Sequence, residues 1–320
     1  MDVFYLIFQQ TLMVAVAIAV VSLGGMFSER SGVVNIALEG IMVVGAFAGI
    51  IFIYVMQSAE STMNPQLMLV IALLISAVVG GIYSLLLSFA SINMKADQTI
   101  GGTALNIMAP AIALFLSRSI IGSKNVRFTN SFYLGESLAL SDIPVIGDLL
   151  FKNTYITVYV GIAIWIAVMI VLYKTKFGLR LRACGEHPQA ADSVGINVYK
   201  MRYAGVTISG VLGGLGGLML IIVTVGTFSG TVNGYGYLAL AVLIFGQWKP
   251  KYVFPAAVFF AFMNTLASFN SVIPFMQSLG LSSAVYKMLP YITTLIILAF
   301  TSRSSKAPKS CGIPYDQGKR

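Results

Sequence analysis

Read for its hydrophobic and polar positions, the chain is a succession of long apolar runs separated by short polar connections. The runs cover residues 3–27, 33–56, 66–94, 98–117, 154–173, 204–226, 235–246, 252–269 and 286–301. Most approach 20 residues, the length at which a helix crosses a hydrocarbon layer about 30 Å thick. They predict an all-α, polytopic integral membrane protein with about nine transmembrane helices. Two runs depart from the simple pattern. The 235–246 run is too short to cross alone and has Gly234 and Gly236 at its head, which predicts an interrupted helix. Pro290 lies inside the last run, where it removes a backbone donor and predicts a kink.

Composition supports the membrane reading. The chain is 58% hydrophobic and only 10% charged, against about 25% charged residues in a soluble domain. The opening MDVFYLIFQQTLM carries an acid and no Lys or Arg, so it reads as a retained span and lacks the basic start of a cleaved leader. Lys and Arg favour the cytoplasmic side of a membrane. Placing 28–32, 93–97, 174–203, 247–251 and the segment from Arg303 inside collects 15 of the 20 Lys and Arg residues there. The expected plan is a transmembrane domain over 1–302 with the N-terminus outside, an outer loop at 118–153, a cytoplasmic insert at 180–202 and a basic cytoplasmic tail at 303–320. The net charge of +9 then follows from membrane topology, with no nucleic-acid partner implied.

Several chemistries lack their residues. There is no GxxxxGK[ST] nucleotide loop, and the terminal GKR has neither the glycine spacing nor the Ser/Thr. Cys184 and Cys311 are far apart in sequence and His187 has no second histidine, so neither a metal centre nor a catalytic pair is expected. The glycine cluster GVLGGLGGLML at 210–220 sits inside an apolar run without a preceding strand. Ser209, Gly213 and Gly217 recur every four residues, as do Gly210 and Gly214, a spacing that lets helices approach closely. Ser76, Gly80, Ser84 and Ser88 form a similar stripe.

A short signature occurs twice, SGVVN at 31–35 and SGTVN at 229–233, each before a glycine-marked apolar run. Five predicted spans separate the copies, so they open on opposite faces, as inverted repeats with interrupted helices do. Polar side chains inside spans are costly and therefore mark candidates for a solute path. These are Asn35 and Glu39 at the head of the second span, Thr103 and Asn106 in the fourth, Asn233 in the second signature and Gln247 after the short run. The structural alternatives are helix stapling by Asn and Thr, and for Glu39 an ion pair with Arg30 or a backbone cap. An ion-coupled transporter would need intramembrane acids, for which only Glu39 and Asp97 qualify.

The segments SERSGVVNIALEGIMVVGAF, DQTIGGTALN, FGLRLRACGEHPQAADSVGINVYKMR and GYGYLALAVLIFGQWKP, in this order, resemble the permeases of ATP-binding cassette importers. The group is the branched-chain amino acid and simple-sugar superfamily, with the nearest likeness to nucleoside (guanosine-type) permeases that work with basic-membrane-protein-like lipoproteins. The resemblance implies alternating-access import of a nucleoside, with sugars and branched-chain amino acids as alternatives. It implies no cofactor on this chain, with ATP and Mg held by cytoplasmic ATPase partners. It implies a second related permease, a heterodimer before a homodimer, and an extracytoplasmic solute-binding lipoprotein, all in the lipid of the cell membrane. It also implies a coupling helix within 180–202, carried by Glu186, Pro188, Ala190, Ala191, Asp192 and Gly195. There Pro188 suits the first turn, Gly195 the stop, and the two alanines a partner's groove.

Overall fold

The structure, a computed structural model, describes residues 2–130, 132–134, 154–270 and 306–318, with isolated positions at 147 and between 273 and 295. Helix α1 spans Asp2–Ser31 and α2 spans Leu38–Ser58, joined by the non-helical head of the first signature. Helix α3 (Pro65–Ser88) starts where Asn64 accepts from the Gln66 N–H and proline takes the first turn, then ends in a π turn over Phe89–Asn93. Helix α4 (Gln98–Ile121) begins at Asp97, whose carboxylate accepts from the N–H groups of Thr99 and Ile100. Such caps satisfy donors that a helix cannot pair internally.

Beyond the outer loop come α5 (Ile156–Lys174), α6 (Lys176–Glu186) and the short α7 (Pro188–Ser193). The long α8 (Val198–Thr224) is capped by Asn197, and α9 (Tyr235–Phe245) and α10 (Pro250–Ser268) follow. Six helices among the described residues are long and apolar enough to cross a membrane: α1, α2, α3 with its π turn, α4, α5 and α8. The expectation of about nine is therefore met only in the coarser sense of a multi-pass helical membrane protein. At 11 residues, α9 is too short to cross alone. The run at 286–301, with Pro290, falls largely outside the described residues.

Helix α8 forms the centre, packed along α1, α2 and α3. Its glycines make this possible. A Cβ at Gly214 would lie 2.1 Å from the Ser76 carbonyl oxygen, and one at Gly217 2.4 Å from that of Met42. The small-residue stripe predicted in α3 is the surface that receives it, with Ser76, Ser84 and Gly80 buried or in direct contact. Close backbone approach of this kind supplies the dispersion energy that holds helices together where lipid removes the hydrophobic drive.

The loop at 118–153 is pinned at both ends by two-residue ladders. Val126–Arg127 (β1) pairs antiparallel with Thr227–Phe228 (β4), and Tyr133–Leu134 (β2) with Thr154–Tyr155 (β3). Gln57 exchanges two bonds with the Thr129 backbone, donating at 2.8 Å and accepting at 2.9 Å. The loop therefore has a folded base, while 135–146 and 148–153 fall outside the described residues.

Candidate functional site

The heads of α2 and α9 meet inside the bundle. Glu39, in the first turn of α2, is 8% exposed. Its carboxylate accepts from the Gly234 N–H at 2.8 Å and the Gly236 N–H at 2.7 Å, at the start of α9. Four N–H groups at a helix start have no partner within the helix and carry its positive end, so an anionic side chain from another helix satisfies both needs. Gly236 is required for this approach, because a Cβ there would stand 2.4 Å from the Glu39 Cα. Glu39 is thus a backbone cap. Arg30, its possible ion-pair partner, lies 3.6 Å from Glu186 and donates to the Trp248 carbonyl.

Asn106 of α4 closes the same joint. Its Oδ1 accepts from the Gly40 N–H at 2.7 Å, while Nδ2 donates to the Ile36 carbonyl at 2.8 Å and the Tyr237 hydroxyl at 3.1 Å. Asn35 is fully buried and donates to Ser209 at 2.8 Å, with its Oδ1 unpartnered among the described residues. The structure therefore brings Asn35, Glu39 and Asn106 to one region and adds Tyr237, which the sequence reading did not single out. Tyr237 is 49% exposed, and Ile107 and Thr103 of α4 are exposed as well. The Thr103 hydroxyl donates back to the Thr99 carbonyl.

The remaining two path candidates lie elsewhere. Asn233 is exposed with φ +55° and borders a separate cavity with Gln10 and Asn264. Gln247 accepts from the Lys306 N–H at 3.1 Å, next to the last described segment.

That segment, 306–318, is where the structure departs most from a simple tail. It lies against the polar end of the bundle as a strap. The Ser310 N–H donates to the Gly185 carbonyl at 2.9 Å and the Gly312 N–H to the Gly32 carbonyl at 3.2 Å. Lys95 and Asp316 are 3.1 Å apart, and Gln317 donates to Asp192. Beneath the strap, Arg202 is 1% exposed and donates through Nη1 to the Ile313 carbonyl at 3.0 Å. Its Nε and Nη2 have no partner among the described residues. Neither Arg202 nor the strap was singled out from the sequence, because their partners are carbonyls more than 100 residues away.

Helix α7 has the expected ends. Pro188 occupies its first turn, and Gly195 stops it at φ +81° with its N–H on the Asp192 carbonyl. The orientation of the two alanines differs from the expectation that both face a partner. Ala191 is buried with Cys184, Val198 and Tyr315, whereas Gln189, Ala190 and Val194 are exposed. Glu186 accepts from the strap at Lys309 and pairs with Arg30. Burial pushes the Cys184 thiol up to about 11, opposed by the Arg202 charge, and raises Cys311 as well. Both therefore stay protonated at neutral pH and are poor nucleophiles. No group of three His, Cys, Asp or Glu capable of holding a metal occurs among the described residues.

These features define a class: a multi-pass helical membrane protein with a buried polar joint between the heads of α2 and α9. The chain belongs to the branched-chain amino acid transport system / permease component family, matched over residues 7–298. It is 41% identical over 312 residues to the guanosine ABC transporter permease protein NupQ of Bacillus subtilis, covering 97% of this chain and 96% of that one. It is 40% identical over 299 residues to the nucleoside ABC transporter permease protein NupC of Lactococcus lactis, covering 93% and 92%. A putative glucose ABC transporter permease protein of Haloferax volcanii, TsgC13, is 26% identical over 309 residues, covering 91% and 89%. No solved structure matches.

Proposed function

We propose that this chain is the membrane permease subunit of an ATP-binding cassette importer for nucleosides. The observation that carries this reading is its likeness, along nearly its whole length, to two permeases named for guanosine and nucleoside transport. The substrate is taken from those names, since fold alone does not assign one. In this reading the importer pairs the chain with a second, related permease. Cytoplasmic ATPases supply ATP, Mg and force, and a lipid-anchored receptor outside delivers the solute. The N-terminus faces outward, and α6, α7 and the strap face the cytoplasm.

Alternating access then works through the joint. Glu39 and Asn106 lock α2, α4 and α9 together by five bonds, so these helices move as one body. The junction of the two signature copies through Glu39 supports an inverted repeat with interrupted helices at its centre. The exposed Thr103 and Tyr237 offer hydroxyls to a polar solute. At the cytoplasmic end, α7 presents Gln189 and Ala190 to an ATPase groove. The buried Pro188 and Ala191 fix its seat, and Glu186 and Asp192 tie it to the strap.

The test is reconstitution of this chain with its companion permease, ATPase and receptor in proteoliposomes. The expected result is ATP-dependent uptake of labelled guanosine or another nucleoside. Uptake by this chain alone without ATPase, or ATP-driven uptake of glucose or leucine and no nucleoside, refutes the reading.

A further inference from the structure

At the end of the bundle opposite α6 and α7 lies a cavity of about 370 Å³, between α1, the ends of α8 and α10, and the head of α9. That volume falls within the range of small-molecule sites, about 300–1,000 Å³. Its wall is unusual for an apolar bundle. Gln10, Asn233 and Asn264 supply three amides, Thr224, Tyr235, Thr265 and Ser268 four hydroxyls, and Phe269 a ring. None of the described lining residues is Asp, Glu, Lys, Arg or His.

The amides retain hydrogen-bonding capacity. Gln10 donates once, to the Val223 carbonyl at 3.3 Å, which leaves its Oε1 as an acceptor. Asn264 Oδ1 accepts from the Tyr235 hydroxyl at 3.0 Å, which aims the amide and leaves its NH₂ to donate. Asn233 makes a backbone bond to Thr231, and its side chain has no protein partner among the described residues. Polar groups within a membrane bundle are costly unless they have a ligand or water to serve. Amides can donate and accept in one plane, which suits the edge of a heterocyclic base. Hydroxyls suit ribose, and a phenyl face suits a flat ring.

We propose that this cavity is a binding site for one uncharged nucleoside, held within a single copy of the chain and separate from Thr103 and Tyr237. The lack of cations among the described lining residues sets its class. A phosphate group would be buried there without a counter-charge, so nucleotides are refused. A zwitterionic amino acid would be refused for the same reason. This rests on the nucleoside reading above and locates where the solute pauses at the end remote from α7.

The test is equilibrium binding of tritiated guanosine to the complete importer in lipid nanodiscs without receptor, alongside uptake by the same preparation with receptor. Saturable binding of one guanosine per copy of this chain is expected, displaced by unlabelled guanosine but not by GMP or leucine. Asn264→Asp is nearly isosteric and keeps the acceptor for Tyr235, but removes the NH₂ donor. It should weaken binding by about tenfold, the scale of one lost hydrogen bond. Asn233→Asp tolerates the same left-handed backbone and should weaken it similarly. Normal guanosine uptake with no saturable binding overturns the site and leaves the nucleoside reading intact. Wild-type affinity in both variants, or equal competition by GMP, also overturns it. Failure to take up any nucleoside defeats the reading on which it rests.

Discussion

Replacing Glu39 by Gln tests the joint between α2 and α9 with almost no change in shape. The carboxylate holds two backbone N–H groups at 2.8 Å and 2.7 Å, with Glu39 itself 8% exposed. Charge-assisted bonds of this kind contribute about 1.5–3 kcal/mol each. Glutamine keeps one acceptor, without its charge, and turns an NH₂ toward the other N–H. One bond is weakened, the other becomes a donor–donor contact, and the N–H left unsatisfied costs about 1–3 kcal/mol. The combined loss is about 2–5 kcal/mol, concentrated where α2 and α9 start. The long spans do not depend on these bonds, so Glu39→Gln should still insert and purify. Its melting point in detergent, followed by size-exclusion after heating, should fall by several degrees. Nucleoside uptake by the reconstituted importer should fall at least as far as that of Glu39→Asp, which keeps the charge on a shorter arm. A Gln variant that melts and transports like the parent would refute the reasoning, because an amide would then serve the joint as well as a carboxylate.

Gly214→Ala places a Cβ 2.1 Å from the Ser76 carbonyl, so overpacking should cost about 1–3 kcal/mol and lower the melting point; Gly226→Ala, with nothing within 4 Å, should be near neutral. Ala190→Arg changes an exposed position of α7, so it should leave melting unchanged while reducing co-purification of the ATPase. Ala191→Arg instead forces a charge into the contact with Cys184, Val198 and Tyr315 and should destabilise the chain itself by several kcal/mol, seen as lost monodisperse protein. Tyr315→Ala removes a ring 5.3 Å from that of Tyr199, a large-to-small change of about 3–5 kcal/mol if fully packed. It should expose the strap to limited proteolysis after residue 305, whereas Tyr315→Phe should resist like the parent.

The apolar pattern located most of the helices well. The 66–94 run became α3 with its π turn, ending at Asn93, and the short 235–246 run became the 11-residue α9. The glycine cluster packs as its spacing required, because a stripe of small residues leaves a neighbouring backbone little choice of distance. Among the polar candidates, Glu39 and Asn106 came together because each accepts from backbone N–H groups at the head of another helix, with Asn35 close by on the Ser209 hydroxyl. Asn233 and Gln247 did not, and nothing local could say so: the destination of an amide depends on which distant carbonyl or N–H packing brings near. Ala191 points inward because a six-residue helix has too few positions to display a hydrophobic face. The strap escaped notice for a related reason. Its bonds run from backbone N–H groups to the Gly185 and Gly32 carbonyls, and main-chain groups leave no trace in composition or periodicity.

The place of Ile313 has a consequence for how the protein is made. Arg202 is buried near the start of α8, and its hydrogen-bond partner among the described residues is a carbonyl in the final stretch of the chain. During synthesis the guanidinium is therefore available long before the Ile313 carbonyl leaves the ribosome, so its burial waits on the 111 residues that separate the two. Until then the start of α8 holds a solvated charge where the finished protein has a closed seam. Premature termination anywhere before Ile313 leaves that seam open.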